Sequence, residues 1–147
     1  MNTVAKNRRA RYDYEILETI ESGIILTGQE VKSCRRGNVN LSGSYVIIPR
    51  SGDVLLKNAS IAPYVYASQL EGYDLKRDRK LLLRKSESDR LQRALEQKGV
   101  TVIPLEVRCG RYIKLLLGVG RGRKRYDKRQ RIREKEVKKK LRKGEEY

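Results

Sequence analysis

The sequence predicts a mainly β protein with short helices, carrying a basic C-terminal appendage. Three observations predict it. Short apolar runs rich in Val, Ile and Leu alternate with Gly, Pro and Asn/Asp breaks through residues 1–120. Only two or three stretches carry helical spacing. The last 27 residues hold 14 Lys/Arg, 5 Asp/Glu and almost no apolar surface.

The elements follow in order. "YDYEILETIESGIILTGQEV" (12–31) mixes β-branched residues with a break at Gly23 and reads as two short strands. "GQEVKSCRRG" (28–37) is bracketed by glycines, and Val31 and Cys34, three apart, give one face of a short helix an apolar character. "SYVIIPRSGDVLLKNASI" (44–61) is two apolar runs around a turn with Gly, a hairpin. "APYVYASQLEGYDLKRD" (62–78) is irregular. "KLLLRKSESDRLQRALEQKG" (80–99) reads as helical, with a break near Ser86 dividing two pieces, Leu91 and Leu95 on one face, and Gly99 as the stop. "VTVIPLEVRCGRYIKLLLGVG" (100–120) is two more strands around Cys109–Gly110. About six strands with short helices fit an OB-fold-like closed antiparallel β-barrel. Strand count and spacing fit a sandwich equally well. The domain division is then 1–120 for the barrel and 121–147 for the tail.

Charge is the strongest functional signal. The chain of 147 residues carries 35 basic and 18 acidic residues, a net +17, of which +9 falls in residues 121–147. A polyanion is the expected partner, nucleic acid before an acidic membrane face. No apolar run is long enough to span a membrane. The N-terminus lacks the apolar stretch of a secretory signal, so the expected location is cytoplasmic. The tail places Glu134 and Glu136 four residues before Lys138 and Lys140, the favourable helical order, yet has no wide apolar stripe. It is expected to be disordered alone and helical where an anion-lined cavity neutralises it.

Catalysis finds little support. There is no His, and the two cysteines, Cys34 and Cys109, form no metal-ligand spacing. They read as buried small hydrophobes. Acidic pairs such as Glu15/Glu18 are ordinary surface patterns. "GVGRGRK" (118–124) lacks the full phosphate-loop and dinucleotide signatures, and its glycines read as a hinge where the strand leaves the barrel. Two basic clusters point to RNA instead. "KNRRARYDY" (6–14) joins basic residues to tyrosines, and "KRDRKLLLRK" (76–85) surrounds three leucines with six basics. No enzyme activity and no cofactor are expected.

The motifs "NRRARYDY", "ESGIILTGQEVKSCRRG", "SYV", "RKLLL", "KGVTVIPL" and "GRGRKRYDKR", in this order and spacing, resemble the small protein B (SmpB) family, the SsrA-binding proteins of bacteria. The likeness runs over roughly residues 6–140. It implies an OB-type barrel that binds the tRNA-like domain of transfer-messenger RNA (tmRNA). It further implies help in delivering alanyl-tmRNA, with elongation factor Tu and GTP, to stalled 70S ribosomes for trans-translation. The tail would enter the empty mRNA channel beside the 16S rRNA decoding centre. Residue by residue, the resemblance implies RNA contacts at Asn7, Arg8, Arg9, Glu21 and Leu82, with Lys80 beside Leu82. Glu21 would accept hydrogen bonds from a guanine edge; its plainer reading is a surface carboxylate paired with a nearby Arg. Lys32 and Arg35, three apart on the short helix, share its exposed face in this reading. The tail motif implies Lys124, Tyr126, Asp127, Lys128 and Arg129 for the decoding site and mRNA channel.

The chain departs from the family in two places. "EVRCGRY" replaces an aromatic segment, with a turn that looks shorter and puts packing at Cys109 in question. The His the family often has near "RKLLL" is absent. Two rivals are a general RNA-binding barrel, such as a ribosomal protein or RNA chaperone, and an RNA-processing enzyme. The second would need a carboxylate cluster for Mg²⁺ or an acid–base pair.

Overall fold

The computed structural model describes residues 2–64, 66 and 72–123. The elements run β1 (Asn2–Lys6), α1 (Ala10–Asp13), β2 (Tyr14–Ile24), α2 (Gly28–Arg35), β3 (Val39–Asn40), β4 (Tyr45–Ile47), β5 (Leu55–Lys57), β6 (Ser60–Ile61), β7 (Arg79–Leu82), α3 (Lys85–Leu95), β8 (Val100–Cys109) and β9 (Ile113–Gly122). Six strands close a ring in the order β8-β4-β5-β7-β2-β9, and β9 returns to β8. Every pairing in it is antiparallel. Strand β1 joins β8 from outside the ring, and β3 pairs with β6 in a small separate sheet. Closure decides what the strand count left open: this is a barrel, not a sandwich, and the OB-like expectation holds.

The core lies inside the ring. Ile113, Leu115, Leu117 and Val119 alternate inward along β9 and meet Val46, Leu56, Leu81, Val102 and Val107. Leu91 of α3 and Cys34 of α2 pack on the same cluster. On β8, Val102 and Val107 both belong to this core although they are five positions apart, a spacing that strict alternation would put on opposite faces. A register shift between Pro104 and Glu106 supplies the extra residue, Leu105, and restores the alternation.

Several expectations change. The run 12–31 forms one 11-residue strand before α2, because Gly23 lies in the ladder, paired with both Leu82 and Lys114. "RKLLL" is strand β7, not helix: Arg79 and Leu81 are buried while Lys80 and Leu82 are exposed, a period of two. Helix α3 starts after it at Lys85, with Glu87 accepting from the Arg84 N–H, and ends before Gly99, which turns at φ +78° into β8. Gly118 and Gly120 are not a hinge. They lie within β9, where an added Cβ would fall 2.8 Å from Leu105 and 2.9 Å from the Tyr14 Cβ. Their bareness lets Leu105, Ala10 and Ile103 pack as a second small cluster, with Tyr14 beside it. Strand β9 runs to Gly122, and the Arg123 N–H donates to the Asp13 carbonyl at 2.9 Å, so the first residues assigned to the tail are tied to the barrel.

The β8–β9 hairpin is intact despite "EVRCGRY". Cys109 pairs with Ile113 around the turn Gly110–Tyr112, and Cys109 packs against the main core. Both cysteines are free, Cys34 buried and Cys109 half-buried.

Candidate RNA interface

Cross-strand register assembles a row on the outer face of the barrel. Leu82 of β7 stands opposite Gly23 of β2, Gly23 opposite Lys114 of β9, and Lys114 opposite Arg108 of β8. Leu82 is 53% exposed, and a Cβ on Gly23 would press on it at 3.1 Å. Glu21, two residues before Gly23 on the same face, reaches Arg108 at 3.5 Å and Lys114 at 3.7 Å. The plain reading of Glu21 as an Arg partner is thus correct for the isolated protein. Both contacts are long and partly solvated, so they hold the carboxylate loosely. Lys80, on the exposed face of β7, is paired with Asp53 at 3.2 Å.

The partner residues Lys114 and Arg108 were missed by sequence reasoning. Alternation on β8 and β9 carries the signal, since each basic residue sits between two apolar neighbours, Arg108 between Val107 and Cys109 and Lys114 between Ile113 and Leu115.

A fixed polar network supports this face from beneath. Arg79 is fully buried; its guanidinium donates to Glu30 at 2.8 Å, to the Ala59 carbonyl at 2.8 Å and to the Leu75 carbonyl at 3.0 Å. Arg77 also binds Glu30. Glu30 in turn caps α2: its carboxylate accepts from the Thr27 N–H, and the Thr27 hydroxyl accepts from the Glu30 N–H. Burial alone would push the Glu30 carboxyl up, but Arg77, the Thr27 N–H and Arg79 together hold it below the usual range. Arg79 therefore fixes β7, and with it the exposed neighbours Lys80 and Leu82.

The N-terminal residues divide by role. The Asn7 amide donates to the Pro104 carbonyl at 3.0 Å and the Leu41 carbonyl at 3.3 Å, and its backbone N–H to Leu105 at 2.7 Å. It staples the segment to the barrel. Arg8 and Arg9 then project: both are exposed, and the Arg9 side chain, 78% exposed, makes one long ion pair with Asp13 at 3.6 Å. On α2 the two basic residues part company. Arg35 clamps the hairpin turn, donating to Gly110 and Arg111 carbonyls at 2.9 and 3.1 Å. Lys32 faces the Tyr64 ring together with Arg36, one helical turn on. Lys124, Tyr126, Asp127, Lys128 and Arg129 lie outside the described residues.

The model of the SmpB protein family matches residues 4–146. The chain belongs to the SmpB family. Among curated relatives, an SsrA-binding protein of Synechococcus sp. (strain JA-3-3Ab) is 49% identical over 142 residues, covering 96% of this chain and 92% of the relative. One from Coprothermobacter proteolyticus is 46% identical over 144 residues, covering 97% and 95%. A chain of a solved structure described as "tmRNA-SmpB: a journey to the center of the bacterial ribosome" superposes with a TM-score of 0.69 at 46% identity, over 88% of this chain and 94% of that one. Membership in the SmpB family covers the tail as well as the barrel. Among the described residues, no helix is long and apolar enough to cross a membrane.

Proposed function

We propose that this chain binds the tRNA-like domain of tmRNA through the outer face of its barrel and helps deliver alanyl-tmRNA to stalled ribosomes for trans-translation. The observation that carries this reading is the Leu82–Gly23–Lys114–Arg108 row with Glu21 beside it. An exposed leucine offers a flat apolar contact for an unstacked base. Lys114 and Arg108 supply phosphate contacts, and Glu21 exchanges its long ion pairs for a guanine N1–H and N2–H₂ edge. Arg8 and Arg9, held out by the Asn7 staple, extend the phosphate-binding surface.

In this reading residues 1–120 carry RNA specificity and 121–147 form a tail for the ribosome. The tail enters the empty mRNA channel, where 16S rRNA phosphate neutralises its charge. There Lys124, Lys128 and Arg129 hold phosphate, Tyr126 stacks at the decoding centre, and Asp127 accompanies them. Elongation factor Tu with GTP acts through the bound tmRNA. The role is that of an RNA-binding factor rather than an enzyme, in the cytoplasm.

Binding of the full chain and of residues 1–123 to the tRNA-like domain, at several salt concentrations with elongator tRNA as competitor, tests this. Similar binding by both, with weak competition by tRNA, supports the reading. Equal competition by tRNA, or loss of binding on truncation of a folded 1–123 fragment, favours a general RNA-binding protein instead.

A further inference from the structure

We propose that Tyr64 and Tyr66, with Lys32 of α2 and Arg36 at its C-terminal cap, form a second RNA contact, a stacking platform for an unpaired RNA segment of any sequence. The proposal rests on the RNA-binding reading above but concerns a different surface. The row around Leu82 lies on the outer face of β7, β2, β9 and β8, whereas these four residues stand on α2, its C-terminal cap and the segment after β6.

The geometry is specific. The rings of Tyr64 and Tyr66 meet edge to face, centroids 5.4 Å apart at 67°. The Arg36 guanidinium lies 5.9 Å from the Tyr64 centroid and 5.4 Å from that of Tyr66. The Lys32 ammonium adds a second cation 5.4 Å from Tyr64. The Tyr64 N–H donates to the Gln29 side chain at 3.0 Å, which ties the platform to α2. These distances fall within the range of cation–π attraction.

Core packing does not account for the arrangement. Tyr66 is 73% exposed, the most exposed large hydrophobic side chain among the described residues. Among the described residues, no carboxylate pairs with Lys32 or Arg36. Two cations gripping two rings, one of them well exposed, match what an unpaired nucleotide offers. Its base stacks on the exposed ring and its phosphate meets the cations. Every base has a π-face, so the site tolerates any sequence. Holding the rings in place beforehand lowers the ordering cost on binding.

The test uses the full chain and a short oligouridylate carrying 4-thiouridine, at elevated salt so that the tail's charge contribution is screened. Photo-crosslinks are mapped to peptides, and affinities for the oligouridylate and for the tRNA-like domain are measured for the unmodified protein, Tyr66→Ala and Tyr66→Phe. The expected result is crosslinking at the peptide containing Tyr64 and Tyr66, and a loss of oligouridylate affinity of about fivefold or more in Tyr66→Ala. Tyr66→Phe restores it, and affinity for the tRNA-like domain is unchanged. Crosslinks confined to other peptides, or unchanged affinity in Tyr66→Ala, overturn the platform. Equal weakening of both RNAs overturns its independence from the tmRNA face. Failure of the tmRNA reading itself shows separately, as lack of preference by the unmodified protein for the tRNA-like domain over tRNA.

Discussion

Arg79 and Glu30, 49 positions apart, meet at 2.6 Å with side-chain exposures of 0% and 2%. The pair joins β7 to the N-terminal turn of α2. It places the exposed Leu82 by fixing the strand on which Leu82 alternates with buried Leu81.

Replacing Arg79 with Met removes the cation and leaves the Glu30 carboxylate buried beside Arg77 alone. Breaking a buried pair from one side costs about 3–5 kcal/mol, and Arg77 offsets part of it. Urea unfolding of Arg79→Met is expected to show a stability loss near the lower end of that range. An unchanged midpoint would refute a structural role for the pair.

Acid should weaken the same network. The Glu30 carboxyl is held below its ordinary value in the fold, so its contribution is complete above the unfolded carboxylate pKa of about 4.3 and is lost as pH falls through the folded value. Stability of the native chain should therefore drop with acidification from about that pH. In Glu30→Gln, already less stable at neutral pH, this part of the slope should vanish. Denaturant midpoints at a series of pH values compare the two.

Leu82→Ala tests the outer face without testing the core. The side chain is half exposed, so the expected stability change is small, about 1 kcal/mol or less. Affinity for the tRNA-like domain is expected to fall about tenfold, the scale of a lost base contact. Glu21→Gln should weaken binding selectively to RNA whose contacted guanine is intact. Titration calorimetry with the native domain and a guanine-to-inosine variant separates the effects, because inosine lacks the N2 amino group that Glu21 would accept from.

Gly120→Ala probes the close approach of Tyr14. The new Cβ would sit 2.9 Å from the Tyr14 Cβ, too near the backbone for a rotamer change to relieve. Overpacking of this kind costs about 1–3 kcal/mol. A lowered Tm with the same fold by circular dichroism is expected, whereas a hinge glycine would tolerate Ala.

The thiols should react unequally. Burial pushes the Cys34 thiol up to about 12, and Cys109 is raised less, again by burial. At neutral pH in native conditions, a thiol reagent should label Cys109 slowly and Cys34 only after unfolding. Rapid labelling of both would show that the core opens near α2.

Much of this protein is legible along the chain. Charge marked the partner as a polyanion, absence of His and of metal-ligand spacing directed attention away from catalysis, and period-two runs set out most strands. Chain-order motifs brought Glu21 and Leu82 into view and carried the family. Which residues face each other emerges only in the closed barrel. "RKLLL" is a basic-apolar run with no local mark of its period, and it becomes a strand because Arg79 finds Glu30 in the interior. Arg35 and Arg36 are adjacent and chemically identical, yet one holds a hairpin turn and the other grips two tyrosines. Gly118 and Gly120 look like flexibility in a string and are close packing in the barrel. Lys114 and Arg108 join Glu21 only through the register of three strands. Local propensity reads along the chain, but a closed sheet is made of contacts between distant residues, and those are fixed by ring closure and burial rather than by any neighbour in sequence.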